Sequence, residues 1–348
     1  MAPKLFRRAS RGEELPELVF TKSPRENGIP GIRRPSINGL VEISRGCGRN
    51  CQFCIPTMRA KRDFSFERIL SEVSTNVRGG CREVCLHAED ILLYGSGSEY
   101  QFKPRRERVL NLFTKIMGST GGDVRIGVSH VSLPAVASSP KLIEDLSSLL
   151  EIGNSQMPFL GVQIGLETGS LRLINRFMTG KPLPFKPGEW REVVGTALGI
   201  LHDNNWIPAL TLIVGLPGET ADDVVETIEF LDKLKSYRSL IVPLFFISTE
   251  EMILRGKVTF NRQSIAPEHE ELFAKCLNHS LHWANHIRSD YFGSNSSPIL
   301  RLAFSAFMKF IGMKSRSILG DVSRKNNQIV EIGDADRRVQ HQITRVAS

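Results

Sequence analysis

The sequence predicts an α/β fold, a partial (β/α)6 barrel with a C-terminal helical extension, and three observations carry that reading. Strand-like and helix-like stretches alternate six times between residues 39 and 250. Such alternation makes the strands pair in parallel, with a crossover helix between successive strands. The 348 residues exceed one average domain of ~100 to 200, whereas an α/β barrel of ~250 residues with extensions at its ends accommodates them.

Taken in order, residues 39–44 alternate like a strand, and 64–77 read as a helix with Ile69, Leu70, Val73 and Val77 on one face and Gly79-Gly80 as its stop. A second strand over 82–86 leads to a helix over 105–117. A third strand over 124–128 leads to a helix over 141–150. The fourth strand, 160–166, leads to a helix opening at Gly169-Ser170. A proline-rich link over 181–187 precedes a helix at 190–202, a fifth strand at 207–214, a helix at 221–234 and a sixth strand at 240–246. Residues 1–38 then form an N-terminal extension, 39–250 the barrel, 251–315 a helical region and 316–348 a polar tail. Within the helical region, 299–313 is apolar apart from Arg301 and Lys309 and is expected to pack on the barrel.

Composition sets the class. Hydrophobic residues make up 41% and charged residues 24%, so the chain can bury a sizeable core and is neither disordered nor collagen-like. The longest apolar runs, 207–216 and 241–247, fall short of the ~18 residues a membrane-spanning helix needs. The first 21 residues mix arginines with glutamates and hold no apolar signal stretch, so a cytoplasmic location is expected. Lys and Arg total 45 against 37 Asp and Glu, a net charge of +8 that biases the chain toward polyanions such as RNA or acidic cofactors. Basic clusters occur at Arg7, Arg8 and Arg11, at Arg59, Lys61 and Arg62, at Lys103, Arg105, Arg106 and Arg108, and at Arg337 and Arg338. Solvated surface charge is the commoner explanation for any one of them.

Six cysteines, Cys47, Cys51, Cys54, Cys81, Cys85 and Cys276, sit in a chain with no secretory signal, where metal binding or chemistry is commoner than disulfides. The first three form Cys47-Gly48-Arg49-Asn50-Cys51-Gln52-Phe53-Cys54, a C-x3-C-x2-C spacing that follows strand one directly. An iron–sulfur cluster needs thiolates delivered from one tight loop. Gly46 and Gly48 let the backbone fold closely, and Pro56 stops the loop from continuing as a helix. Three thiolates against the four irons of a cubane leave one iron open, as an open coordination position marks a catalytic zinc site. Zinc is the competing reading. Its fourth ligand would come from Cys81, Cys85 or His87, at no standard zinc spacing.

A strand followed by C-x3-C-x2-C, with aromatic Phe53 before the last cysteine, resembles the radical S-adenosylmethionine (SAM) superfamily. The resemblance implies a TIM-like (β/α)6 barrel in which Cys47, Cys51 and Cys54 hold a [4Fe-4S] cluster and SAM chelates the open iron, with Phe53 beside it. Further segments match at successive strand ends. His87-Ala88-Glu89-Asp90 stands where many members have Gly-Gly-Glu; only Glu89 matches, implying an acceptor for the methionine amino group, and His87 and Ala88 depart from the pattern. Ser129 resembles a polar strand-three contact to the cofactor, and His130 beside it could also face the pocket. Gln163-Ile-Gly-Leu-Glu167-Thr-Gly-Ser170 resembles the Glu-Thr/Ser-Gly-Ser segment whose Glu contacts the SAM ribose, while Thr168 could simply cap a helix. Gly215-Leu-Pro217-Gly218-Glu219 looks like the turn beside the adenine, with Thr211 where the longer pattern has another glycine.

The expected activity is reductive cleavage of SAM to a 5′-deoxyadenosyl radical that takes hydrogen from an unidentified substrate, with methyl transfer first and methylthio transfer next among the outcomes. An electron donor such as ferredoxin or flavodoxin is implied. The alternative is a non-catalytic iron–sulfur electron carrier or a structural metal-binding protein. The strand-four and strand-six segments most resemble the branch that usually carries an N-terminal cobalamin-binding domain. Only residues 1–38 precede strand one and no Asp-x-His-x-x-Gly signature occurs. Such a domain needs on the order of 100 residues. It therefore lies on a separate subunit, was lost, or is missing from a truncated chain. Cys276, His279, His282 and His286 fall on related faces of one predicted helix; a second metal site and simple packing beside Trp283 are the two readings, and packing is the commoner.

Overall fold

The computed structural model describes residues 26–55, 60–121, 124–249, 252–254, 256, 259–292, 299 and 306. The segment 299–313 lies outside them apart from two residues, and so do Pro56, Arg59 and the tail over 316–348.

Six parallel strands stand in chain order. β1 (Leu40–Glu42) pairs with β4 (Glu83–His87), which pairs with β5 (Arg125–Val128); β6 (Leu160–Glu167) pairs with β7 (Trp206–Val214), and β7 with β8 (Leu240–Phe245). The parallel bridge between His130 and Gln163 joins the two sheets, so the strands form one curved wall. This is the partial barrel that the alternation predicts. Strand one is shorter than its apolar pattern because Ser44 and Arg45 leave the parallel ladder. They form β2 (Ser44–Arg45), antiparallel to β3 (Arg62–Asp63), and the cysteine loop hangs between them.

The helices cover the outside: α1 (Phe66–Arg78), α2 (Arg106–Thr120), α3 (Leu133–Ser138), α4 (Pro140–Leu149), α5 (Leu171–Phe177), α6 (Trp190–Asp203), α7 (Ala221–Lys233) and α8 (Pro267–Phe292). α1 starts where the Ser65 hydroxyl accepts from the Arg68 N–H, and it ends at Gly79. Helix α3 is additional to the predicted set. Ser132 caps it and Pro134 sits in its first turn, a signal hidden in a stretch of small residues. α8 lies across β8 and α7: Lys275 reaches Asp232, and the Ser280 hydroxyl bonds to both the N–H and the carbonyl of Ile241.

Burial alternates along β4. Val84, Leu86 and Ala88 are fully buried against the helices, while Cys85, His87 and Glu89 are half-buried on the lumen face. Burying each large aliphatic side chain contributes ~1.5–3 kcal/mol. The two fully buried tryptophans also satisfy their indole N–H groups, Trp190 on the Thr168 carbonyl at 3.1 Å and Trp206 on the Ser147 hydroxyl at 2.8 Å. Val242 and Leu244 on one face of β8 remain about half exposed, while Phe245 on the other face packs against Phe260 and Phe273.

A buried polar network fixes the end of β6 against α7. Asp223 accepts from the Ser170 hydroxyl at 2.6 Å, from the Thr220 N–H and hydroxyl at 2.8 Å each, and from Arg172. The Thr227 hydroxyl meets that of Thr168 and receives the Gly169 N–H. Burial opposes the charge on Asp223, but hydrogen bonds from Arg172, Ser170 and Thr220 outweigh it and hold its pKa below the usual carboxylate value. The stabilisation is therefore present above the unfolded-state pKa of ~3.9 and is lost as pH falls through the lower folded value. Asp223→Asn should cost about 2–3 kcal/mol at neutral pH, one charge-assisted hydrogen-bond set, measured by urea unfolding. The variant's stability should also fall less steeply below about pH 4 than the parent's.

Candidate active site

The cysteine loop leaves β2 through backbone that turns sharply: φ is +77° at Gly46, +79° at Gly48 and +57° at Asn50. Glycine takes such angles without strain, and three left-handed residues in five curl the chain so that Cys47, Cys51 and Cys54 face one space. Inside the loop, the Cys54 N–H donates to the Cys51 carbonyl at 3.0 Å. The Cys51 and Cys54 thiols also share a hydrogen bond, which lowers the pKa of Cys51 and raises that of Cys54. Burial raises the pKa of Cys47. No disulfide links any of the six cysteines.

Distant parts of the chain hold this loop in place. Arg49, 6% exposed, donates one terminal nitrogen to the carbonyls of Gly180, Lys181 and Leu183 at 3.3, 3.0 and 2.5 Å, and the other to the Ser132 hydroxyl at 3.2 Å. Its guanidinium stacks 4.8 Å over Phe102 and lies 4.0 Å from buried Asp90. Gln52 adds a backbone bond to the Phe177 carbonyl and a side-chain bond to that of Arg176. The link to 180–183 is tight: a methyl group on Gly180 would lie 2.0 Å from the Arg49 carbonyl oxygen.

Beneath the loop lies a cavity of about 180 Å³. Its walls include Cys47, Cys51, Cys54, Phe53, Glu89, Asp90, Ser132, Gly165, Glu167 and Lys181. The Lys181 ammonium meets Glu167 Oε1 at 2.7 Å, both groups being buried. Burial opposes the charge of Lys181, but Glu167 and Cys51 beside it prevail and its pKa stands above the ordinary value. Glu167 itself sits at φ +63°, at an irregularity in the β6–β7 ladder. A non-glycine residue held there stores on the order of 1–3 kcal/mol of strain, which marks a position fixed by its surroundings. Gly165 makes room for the ion pair, since a methyl group there would lie 2.0 Å from Glu167 Oε1 and 2.8 Å from Lys181 Nζ.

Of the predicted site residues, Cys47, Cys51, Cys54, Phe53, Glu89 and Glu167 thus share one cavity. Glu89 Oε2 is buried there without a hydrogen-bond partner, an acceptor left free for a ligand. Ser129 is turned elsewhere: its hydroxyl accepts from the Ala88 N–H at 3.2 Å and donates to the Ala88 carbonyl at 3.1 Å, tying β4 to β5. Gly215 and Pro217 lie at the end of β7, outside the cavity walls. Gly215 has φ +83°, donates its N–H to the Glu219 carboxylate and abuts the Phe260 ring. Arg49, Asp90, Ser132 and Lys181 were not singled out in the sequence.

Cys85 lines a different cavity with Glu83 and Arg125 at the opposite end of the strands. Among the described residues, no three His, Cys, Asp or Glu side chains converge as one metal ion requires. The same holds on α8. There Cys276 is buried in the core, His279 Nε2 bonds the Ser239 hydroxyl at 2.8 Å, and the rings of His282, Trp283 and His286 meet edge-on or tilted.

The family model of the radical SAM superfamily matches residues 41–231, from β1 into α7. The chain belongs to the radical SAM superfamily. Members use a [4Fe-4S] cluster and SAM, and three cysteines around a cavity with a free carboxylate oxygen fit both groups. Among curated relatives, a probable threonylcarbamoyladenosine tRNA methylthiotransferase from Methanothermobacter thermautotrophicus is 26% identical over 67% of this chain and 51% of its own. The ribosomal protein uS12 methylthiotransferase RimO of Pseudothermotoga lettingae is 27% identical over 68% and 49%. The chain spans about half the length of the curated relatives it matches. A solved radical SAM methyltransferase, TsrM from Kitasatospora setae, aligns at a TM-score of 0.44 and 13% identity over 62% of this chain and 37% of its own. No helix among the described residues is long and apolar enough to cross a membrane.

The Lys181–Glu167 pair is open to a direct test. Lys181→Met strands a buried carboxylate and should cost about 3–5 kcal/mol, whereas adding Glu167→Gln to it should recover most of the loss. Urea midpoints of the two single variants and the double variant measure the coupling.

Proposed function

We propose that this chain is the catalytic core of a radical SAM enzyme that modifies its substrate by methyl or methylthio transfer. The observation that carries the reading is the cavity beneath the cysteine loop, where three thiols and the unpartnered Glu89 carboxylate oxygen meet. When bound, the cluster and SAM supply a one-electron cleavage that yields methionine and a 5′-deoxyadenosyl radical able to take hydrogen from the substrate. Cys47, Cys51 and Cys54 ligate three irons. Cys85 lines another cavity, Cys276 is buried on α8, and neither they nor Cys81 line the cavity beneath the loop, which speaks against an electron carrier with every iron held by protein.

Glu89 accepts the ammonium of the methionine moiety through Oε2, a charge-assisted hydrogen bond. Lys181 keeps Glu167 oriented at the cavity wall, where the carboxylate accepts from ribose hydroxyls. Phe53 and Leu133 supply apolar wall and limit water. Gly215 and Pro217 shape the turn at the end of β7, which would border the adenine when SAM is bound. Electrons come from a small donor of the ferredoxin or flavodoxin class. The methylthio alternative rests on the named reactions of the sequence relatives, of which this chain matches about half.

Anaerobically reconstituted protein given SAM and dithionite should release 5′-deoxyadenosine, detected by liquid chromatography; a fully loaded cluster that yields none would refute the enzyme reading in favour of the carrier. Cys51→Ala should abolish both the product and most of the bound iron. Glu89→Gln should retain iron but weaken SAM binding about tenfold, the loss of one charged hydrogen bond worth ~1.5 kcal/mol.

A further inference from the structure

We propose that the concavity at the start of α2 is a docking surface for single-stranded RNA, with Arg105, Arg106 and Arg108 on backbone phosphates and Tyr100 stacked on a base. This goes beyond the SAM chemistry and does not depend on it.

The concavity measures about 550 Å³ and is walled by Arg105, Arg106, Glu107, Arg108 and Asn111. Three guanidinium groups against one carboxylate give it a net positive potential. Among the described residues only Arg106 of the three arginines, itself half exposed, has an ion pair, to Asp145; Arg105 donates to the Gly95 carbonyl at 3.4 Å. The placement is also adverse for the helix. Cations in a first turn face the positive end of the helix dipole, and Arg105 at the capping position offers no side-chain acceptor to the free N–H groups. Glu107 in that turn and Asp145 beside Arg106 offset only part of the repulsion, whereas an anion seated in the concavity would meet the guanidinium groups and the helix terminus together.

Tyr100 decides what kind of anion. It is 43% exposed, and the Arg105 guanidinium lies 4.7 Å over its ring, so one face of an aromatic–arginine pair is presented beside the charges. An acidic polypeptide would use the charges and leave the ring idle. An unpaired base stacks on such a ring while its phosphates meet the arginines, and a duplex keeps its bases inaccessible. The surface also adjoins the active site. The Gly95 N–H donates to Asp63 at the base of the cysteine loop at 3.0 Å, and Phe102 in the same segment lies under Arg49.

The test uses the full chain and a fluorescein-labelled oligouridine, with anisotropy titrations over a range of salt. Arg105→Gln/Arg108→Gln should raise Kd at least tenfold and flatten the slope of log Kd against log salt by about 1.4, two contacts at ~0.7 each. Arg105→Lys/Arg108→Lys should keep the slope. Tyr100→Ala should weaken binding about fivefold or more at an unchanged slope, and Tyr100→Trp should restore it. Arg125→Gln, at the other end of the barrel and 62% exposed, serves as the charge control. The proposal is overturned if Arg125→Gln weakens binding as much as the double variant. It is equally overturned if Tyr100→Ala binds the RNA as tightly as the parent, and displacement by polyglutamate would then identify an acidic polypeptide as the partner.

Discussion

The guanidinium of Arg49 is the contact on which the site depends. It lies between two cysteines in a loop that has almost no secondary structure of its own, and it gathers three carbonyls from the 180–183 turn and the hydroxyl that caps α3. Burial lowers its pKa, and buried Asp90 opposes that effect. A buried charge is costly unless it is paired and hydrogen-bonded, so the loop has few alternative arrangements that satisfy Arg49 as well. The three thiols therefore take their positions from elements far along the chain. Gly180 belongs to the same constraint, because only a residue without a side chain lets the 180–183 turn approach the Arg49 carbonyl.

Charge balance within the cavity follows from that docking. The 180–183 turn that anchors Arg49 also carries Lys181 inward, toward Glu167 and the cysteines. Lys181 places one buried cation among a carboxylate and three groups able to become thiolates, and its raised pKa reflects Glu167 and Cys51 together. Glu167 meets it only by adopting a left-handed backbone at an irregularity in β6, above a glycine that leaves room. The rigid Asp223 network on the other side of the same segment, through Ser170 and Thr168, supplies the stabilisation that offsets such local strain. Strain and stiffening are thus neighbours in sequence, at Glu167 and at Thr168 to Ser170.

The legible part of the molecule was the part governed by short-range pattern. Period-2 and period-3.6 alternation located six strands and most helices to within a few residues, and the C-x3-C-x2-C spacing located the loop. What stayed hidden depends on long-range contact. Arg49 is visible as a residue inside the motif, but the carbonyls it binds lie 131 to 134 residues away and nothing local announces them. Lys181 sat in what read as a proline-rich link; its distance of 14 residues from Glu167 has no periodic meaning. Helix α3 stays hidden because its six residues make fewer than two turns, too short for a 3.6-residue period to show. Ser129 falls at the expected strand end, yet its hydroxyl is spent on the Ala88 backbone, a choice set by how closely β4 and β5 approach.

The lumen face of the strands separates two kinds of surface. Toward β8 it is apolar and half exposed, with Val242 and Leu244. Toward β4 and β5 it is polar, with His87, Glu89 and His130 on adjoining strand ends. His87 occupies a position where many superfamily members have glycine, and its ring packs edge-on against His130 at 5.7 Å. Burial, then His87, lowers the pKa of His130, so that ring is neutral at physiological pH; its Nδ1 is buried without a hydrogen-bond partner. A glycine would leave that volume open to a substrate or to water. The imidazole instead narrows the lumen beside Glu89 and replaces bulk solvent with fixed dipoles. For the proposed radical chemistry, which must keep a radical away from water, a narrower lumen beside Glu89 has a direct chemical consequence, and the departure from the superfamily pattern is where this chain can differ in what it admits.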